Sequence, residues 1–424
     1  MPKPRLIVEW ILYRLALLAV APLIPLRLWW RGRRERGYLR HWRERLGGID
    51  APAGALWIHA VSVGEMRAAQ PLIAALRAGH PEIPVLLTCL TPTGRATAES
   101  LYGAFATIGY LPYDYAALVC RFLRRARPRV GILMETELWP NLVAAAARDR
   151  VPLVLANARL SKRSARGYAR LPALTRASLQ KIDVVAAQTE ADAARLLKLG
   201  ATSVRVAGNL KFDVTPPPEM LEAGAAWKAA WGTRPVLLAA STREGEEALL
   251  LYAFSATAPP EVLLVLVPRH PQRFDAVAAL IEAAGLPYQR RSGLVGAPDP
   301  RTRVLLGDSL GELFAYYAAC DVAFVGGSLA PLGGQNLIEA ASVGRPVLVG
   351  PHTFNFEAAT RLAIEAGAVL RIDSAEELVS TALRLLGDAA ARARMGEAGL
   401  AFAARHRGAA ERMARLIAPL LARR

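Results

Sequence analysis

Cysteine is scarce: Cys89, Cys120 and Cys320 are the only three in 424 residues. Thiols so few and so far apart cannot staple a scaffold, so a core rather than disulfides must hold the fold. Histidine is equally sparse, with six residues at 41, 59, 80, 270, 352 and 406. No H-x-x-x-H or C-x-x-C spacing occurs, so no metal site and no separate cofactor are expected. Uncharged runs of about 18 residues, which a polytopic membrane protein would repeat, are missing as well. Acid is in deficit: 36 Asp and Glu stand against 53 Lys and Arg, a formal charge of +17. Apolar residues are plentiful at 53%, which excludes a disordered chain. The length fits two ordinary globular domains. The basic excess implies an anionic partner, whether nucleic acid, a membrane face or a phosphorylated substrate.

The charge is uneven. Residues 1–50 carry 11 basic and 4 acidic side chains. Leu15 to Leu26 is uncharged, bracketed by Arg14 and Arg27 and followed by Trp29 and Trp30. Then come Arg31, Arg33, Arg34, Arg36, Arg40, Arg43 and Arg45. Apolar stretch, paired Trp and Arg cluster follow the order of acyl core, interface and anionic headgroups. The run is shorter than the ~20 residues needed to span a bilayer, and Pro22 and Pro25 would kink a helix. Residues 1–48 are therefore expected to form a membrane-anchoring helical segment that spans or lies in the interface, with residues from 31 onward on the cytoplasmic side. The competing readings are a cleaved signal and a plain surface helix. A basic flank without a small-residue cleavage site disfavours the signal.

From residue 55 short apolar runs alternate with helical patterns. The strand candidates are Leu56–Val61, Val85–Leu90, Val130–Met134, Leu153–Ala156 and Val184–Ala187. Thr215-Pro216-Pro217-Pro218 stops the pattern as a stiff linker. It restarts with Val236–Ala240, Val262–Val267, Val304–Leu306, Val322–Val325 and Val347–Val349. Continuous apolar runs suit strands buried on both faces of a parallel sheet. The expected fold class is α/β, with two Rossmann-like doubly wound domains at 49–214 and 219–424 and the site in the cleft they face.

Several motifs follow strand ends. His59-Ala60-Val61-Ser62-Val63-Gly64-Glu65 comes first. Gly64 reads as the glycine of a tight turn, and Glu65, beside Ser62, as a carboxylate suited to general-base work. The plain alternative is a helix-start Glu favoured by the macrodipole. Glu135 and Glu137 sit one residue apart in Met134–Asn141, so different roles are expected, with helix capping as the alternative. Arg159 and Arg163 after the next strand suit phosphate or carboxylate, or else form a solvated basic loop. Lys211 lies just before the linker. In the second half, Ser241–Glu247 opens a helix and suits anion binding or capping equally. Pro268-Arg269-His270-Pro271 presents an Arg suited to bidentate phosphate recognition. Gly326-Gly327-Ser328, then Gly333-Gly334-Gln335-Asn336-Leu337-Ile338-Glu339, form a glycine-rich strand–loop–helix that lets backbone approach a phosphate. The spacing is neither G-x-G-x-x-G nor a Walker loop, which disfavours a dinucleotide-dependent dehydrogenase.

Taken in order, ten blocks of this chain resemble the 3-deoxy-D-manno-octulosonic acid (Kdo) transferases of lipopolysaccharide synthesis. They are Trp57–Glu65, Thr91–Gly94, Leu111–Asp114, Met134–Asn141, Asn157–Ser161, Leu210–Asp213, Pro268–Pro271, Gly326–Ser328, Asn336–Glu339 and Gly350–Phe356. The resemblance implies a GT-B fold and a metal-independent inverting glycosyltransferase at the cytoplasmic face of the inner membrane, on anionic lipids. It implies CMP-Kdo as donor substrate, on the second domain, and lipid IVA, the lipid A precursor, as acceptor, on the first. It further implies Glu65 as general base and Glu135 and Lys211 as transition-state stabilisers. Donor-binding residues would be Pro268, Arg269, His270, Gly311, Glu312, Leu313, Gly327, Ser328 and Asn336 to Glu339. Ser62, Gly64, Glu137, Arg159 and Arg163 remain acceptor-side candidates. Nucleic acid drops out as a partner, and a GT-B transferase with another nucleotide sugar and lipid acceptor is the alternative.

Overall fold

The computed structural model describes residues 4–422. They form two compact units, one comprising the chain up to Asp213 together with everything from Gly408 onward, the other Val214–Arg407.

The first unit holds β1 (Leu56–His59), β2 (Val85–Cys89), β3 (Ala106–Tyr110), β4 (Val130–Met134), β5 (Leu153–Ala158), β6 (Val184–Ala187) and β7 (Val204–Val206). All pair in parallel, in the order β3-β2-β1-β4-β5-β6-β7. Ile58 stands level with Leu87 on one side and Ile132 on the other. Helices cover both faces, as a parallel sheet requires. Ile58, Leu87 and Ile132 pack with Met66 and Leu72 on one face, and Trp57, Leu86 and Leu133 with Phe122 and Leu142 on the other.

The second unit repeats the plan with β8 (Val236–Thr242), β9 (Leu263–Pro268), β10 (Tyr288–Arg290), β11 (Val304–Leu306), β12 (Val322–Val325), β13 (Val347–Val349) and β14 (Val369–Arg371). Its order is β10-β11-β9-β8-β12-β13-β14, again parallel. Strand order reverses at β1/β4 in one sheet and at β8/β12 in the other, the switch points where doubly wound folds place their ligands.

The sequence pattern missed four strands: β3, β7, β10 and β14. These are the outer strands of the two sheets. Their residues are largely half-buried or exposed, so they lack the unbroken apolar run that betrays a central strand.

The second unit does not run to residue 424, as the sequence suggested; it ends at Arg407. Helix Ala409–Ala422 returns to the first sheet, where Met413, Ile417, Leu420 and Leu421 join Ile58, Leu72 and Leu76 in one core. An apolar stripe on a helix does not say which sheet it covers. The Asp213 carboxylate fixes the return by accepting from the N–H groups of Gly408, Ala410 and, at 3.1 Å, Ala409. The expected linker lies within a few residues of the true boundary, but Pro218 is already the first residue of helix Pro218–Trp231, a position proline favours.

At the N-terminus, helices Pro4–Val20 and Leu23–Arg34 meet at a bend of 46°. Pro22 sits at the break and Pro25 in the next first turn, where its missing N–H costs nothing. No single helix among the described residues is long and apolar enough to cross a membrane. One side of the first helix is tied to the first unit by polar groups. Glu9 accepts from Leu174 N–H at 2.8 Å, Tyr13 donates to Asp114 at 2.6 Å, and Tyr115 donates to the Leu17 carbonyl at 2.6 Å. Ile7, Ile11, Leu12, Leu15 and Leu18 point away and are exposed, Leu18 by 63%.

Replacing the carboxylate that caps the returning helix tests its weight. Asp213→Ala is expected to destabilise the first unit by about 1–2 kcal/mol in urea denaturation. A loss within error would mean that the returning helix needs no cap.

Candidate active site

The first constellation lies at the C-terminal ends of β1, β4 and β5. Ser62, in extended backbone, caps helix Val63–Ala68, its hydroxyl accepting from Glu65 N–H at 3.4 Å. The same hydroxyl donates to Glu65 Oε1 at 3.0 Å, and Val61 N–H donates to Oε2 at 2.8 Å. Glu65 is thus the helix-start carboxylate of the plain reading, which immobilises it; each oxygen still keeps a lone pair for another partner. Gly64 is not a turn glycine, because it lies inside the helix with ordinary backbone and only Ser62 Oγ, at 3.9 Å, near the place of a Cβ. The turn is made by Ser62 instead. His59 is a core residue, fully buried against Thr88, and burial pushes it down to about 4.

β4 ends in a left-handed residue, Glu135, with φ of 57°, and neighbouring β5 carries one near its end, Asn157, with φ of 54°. Non-glycine residues hold this conformation only where the surroundings enforce it. Glu135 N–H donates to Ala156 O at 2.8 Å. Asn157, fully buried, accepts from Leu210 N–H at 3.0 Å and so fixes the turn Leu210–Phe212 that carries Lys211. Asn209 caps the same turn by accepting from Lys211 N–H at 3.0 Å. Tyr168 and Thr136 clamp the loop after Glu135: the Tyr168 hydroxyl donates to Thr136 O at 3.2 Å, and the Thr136 hydroxyl to Arg159 O at 2.5 Å.

These fixings bring Glu65 and Glu135 within reach of the charges of both Glu137 and Lys211. Burial raises Glu65 above the usual carboxylate range and Glu135 adds to the rise; the Val61 and Ser62 hydrogen bonds and Lys211 oppose it. Glu137 is pushed up to about 7, by burial first and then by Glu65 and Glu135. Burial lowers Lys211, with Glu135 and Glu65 raising it and Arg159 lowering it further. Arg159 is therefore part of this field, though its side chain is exposed. Arg163 is exposed and is not brought into it. A half-buried carboxylate raised above its usual range beside a cation, as Glu65 is beside Lys211, is equipped to take a proton.

The second constellation lies at the ends of β8, β9 and β12. Arg269 N–H donates to Thr242 O at 3.0 Å. Its guanidinium and the Glu339 carboxylate both act on buried Tyr317, whose hydroxyl is raised by burial, raised further by Glu339 and lowered by Arg269. Asn336 caps helix Leu337–Ser342, accepting from Ile338 N–H at 3.2 Å and donating to Glu339 Oε1 at 3.1 Å. Leu337 and Ile338 have buried side chains, so they offer a ligand no side-chain contact. Pro268 is the buried last residue of β9, and His270 is exposed. Gly311 is exposed with φ of 83°, Leu313 is half-buried, and Glu312 pairs with Arg291 at 3.1 Å.

One expectation fails outright. The N–H groups of Gly327 and Ser328 are not open to a phosphate, because the buried Glu246 carboxylate takes both, at 2.6 and 2.9 Å. The Ser328 hydroxyl is also committed, donating to Val325 O at 2.6 Å and accepting from Gly350 N–H at 2.9 Å. Sequence offered one clue: Ser241–Glu247 was ambiguous between capping and anion binding, and Glu246 resolves it as an internal anion. Among the described residues no group of His, Cys, Asp or Glu is arranged to hold a metal ion.

Two parallel doubly wound units in one chain define the GT-B class. Known structures agree at the level of fold. The UDP-N-acetylglucosamine 2-epimerase of Neisseria meningitidis, bound to UDP-GlcNAc, matches with a TM-score of 0.53 over 87% of this chain and 99% of its own, at 17% identity. The HepE protein of Anabaena, in complex with UDP, matches with a TM-score of 0.54 over 86% and 98%, at 15% identity. Sequence goes further. Residues 40–214 match the family model described as 3-deoxy-D-manno-octulosonic-acid transferase (kdotransferase). The chain is 51% identical over 416 residues to the 3-deoxy-D-manno-octulosonic acid transferase of Bordetella pertussis, covering 94% of this chain and 96% of that one. It is 38% identical to the Haemophilus influenzae enzyme of the same name, covering 88% of each. The chain belongs to the Kdo transferase family and is a glycosyltransferase.

The pH dependence of stability tests the environment of Glu137. Glu137 holds its proton up to about 7, against an ordinary value of 4.5. The folded state therefore binds more protons than the unfolded one in that interval, and this group's contribution to stability falls as pH rises through it. Glu137→Gln, which cannot ionise, is expected to gain stability relative to wild type progressively between about pH 4.5 and 7. A constant difference across that range would remove the shift.

Proposed function

We propose that this enzyme transfers Kdo from CMP-Kdo to lipid IVA with inversion, using Glu65 as the general base. The observation that carries the reading is the Glu65 carboxyl itself: anchored by Val61 N–H and Ser62, raised by burial, and within the field of Lys211 and Glu135. In this scheme the acceptor hydroxyl oxygen attacks the anomeric carbon of Kdo while its proton passes to Glu65. The bond from that carbon to the CMP phosphate oxygen breaks, and CMP leaves with the electron pair. An in-line displacement of this kind needs one base. Lys211 and Glu135 orient the acceptor side and balance charge as it develops, and Glu137 and Ser62 complete that side. On the second unit Arg269 faces the leaving phosphate monoester, which a guanidinium stabilises well, while Asn336 and Glu339 hold the nucleotide. CMP leaves with less charge than a nucleoside diphosphate, so cationic side chains suffice in place of a metal.

Purified protein is expected to move Kdo from CMP-Kdo to lipid IVA, read as a mass shift of the lipid. Glu65→Gln is expected to fold normally and lose about 10²–10⁴ in turnover. Retained activity in that variant would remove Glu65 from the base role, whereas no transfer by wild type would remove the substrate pair.

We also propose that the enzyme sits at the cytoplasmic face of the inner membrane, on anionic lipids. The first helix is apolar along most of its surface: Glu9 and Tyr13 tie one side of it down while Ile11, Leu15 and Leu18 face outward. Trp29, Trp30, Arg33, Arg36, Arg40 and Arg43 are exposed and continue that surface with groups suited to headgroups. Leu15→Asp with Leu18→Asp is expected to release the protein from vesicles containing anionic lipid while leaving its unfolding midpoint unchanged. Undiminished sedimentation with vesicles would place attachment elsewhere.

A further inference from the structure

Glu246 and Glu247 are consecutive, and both are fully buried. Each is paired with a type of group that also binds phosphate: backbone N–H donors for one, a guanidinium for the other. Glu246 opens helix Glu246–Thr257 after β8, and its carboxylate reaches across the switch point to the loop after β12. Its Oε2 accepts from Gly327 N–H at 2.6 Å and Arg243 N–H at 2.9 Å. Its Oε1 accepts from Ser328 at 2.9 Å, Leu329 at 2.8 Å and, more weakly, Ala330 at 3.4 Å. Successive N–H groups converging around a left-handed glycine, here Gly327 with φ of 69°, make an anion nest. Glu247 meanwhile takes Arg273 in a two-point pair, at 2.5 and 3.1 Å. One nest and one guanidinium, both suited to a phosphate, are filled by the chain itself.

The nest adjoins the groups assigned above to the donor. A Cβ at Gly327 would come within 3.2 Å of Gln335 Nε2 and 3.5 Å of Arg243 Cγ, and Gln335 immediately precedes Asn336. A second anionic group entering here meets a carboxylate and finds no N–H left to accept from. Building on the CMP-Kdo reading, we propose that Glu246 is a specificity-determining residue: it closes the nest and restricts the donor site to a nucleoside monophosphate, excluding a nucleoside diphosphate. Exclusion by a fixed like charge is the repulsive half of recognition.

The test compares CMP and CDP on the full-length protein by calorimetry, with inorganic phosphate as a separate probe in thermal unfolding. Wild type is expected to bind CMP at least roughly tenfold more tightly than CDP, and to gain no thermal stability from phosphate. Glu246→Ala, purified in phosphate, is expected to gain roughly tenfold or more in CDP affinity relative to CMP, and to unfold at a higher temperature as phosphate is added. Glu246→Asp keeps the charge and is expected to keep rejecting CDP. That variant decides the matter if the alanine protein does not fold. The proposal is overturned if wild type binds CDP as tightly as CMP, if a folded alanine variant gains neither CDP nor phosphate binding, or if the aspartate variant admits CDP. A wild type that binds CMP, with no change on substitution, removes only the role of Glu246. A wild type that binds neither nucleotide removes the donor reading itself and this inference with it.

Discussion

Buried and half-buried carboxylates that accept from backbone N–H groups of distant segments are what the rest of this structure depends on. Two parallel sheets create many helix N-termini and strand-end loops whose N–H groups have no partner of their own. Asp114 satisfies those of Asn141 and Leu142 at 2.9 and 2.8 Å. Asp192 does so for Leu160, Asp321 for Val236, Glu44 for Tyr110 and Glu9 for Leu174. Asp213 and Glu246 each gather several. A chain with a shortage of acids places many of them where they join one segment to another. The surplus of Arg and Lys is left for the surface and for anionic partners.

This explains why many residues of the recognition blocks serve the scaffold rather than the two fields of charge. Thr91–Gly94 is a helix cap, with Thr91 accepting from Gly94 N–H at 3.0 Å. Leu111–Asp114 ends in the carboxylate that caps helix Pro140–Arg148, and Leu210–Asp213 ends in the one that holds the returning helix. Gly326–Ser328 is a nest already filled. Glu65, Glu135, Glu137, Arg159 and Lys211 share one field of charge, and Arg269 and Glu339 act together on Tyr317 in another.

The sequence made much of this legible, and the failures have physical causes. Central strands could be read because burial on both faces demands an unbroken apolar run; outer strands such as Tyr288–Arg290 could not, because their residues are only half-buried. Glu65 and Glu135 could be placed because strand ends are where a doubly wound unit presents side chains. Glu137 could be flagged but not its elevation to about 7, which arises from burial and from two acids distant in sequence or set by a turn. Gly64 misled because glycine suggests a turn, whereas extended Ser62 made it. Gly327 misled because a nest looks the same in sequence whether a ligand or a side chain fills it. Glu246 was visible as a letter, but its 81-residue reach to Gly327 is a property of the fold.

The returning helix also fixes an order of events. Every strand of the second unit lies between Val236 and Arg371, so that unit possesses all its residues once Arg407 has been made. The first unit, though begun earlier, lacks Met413, Ile417 and Leu420 from its core until the helix after Gly408 has been made. The unit begun earlier is therefore the one completed later, with part of one apolar face of its sheet uncovered through the synthesis of the other unit.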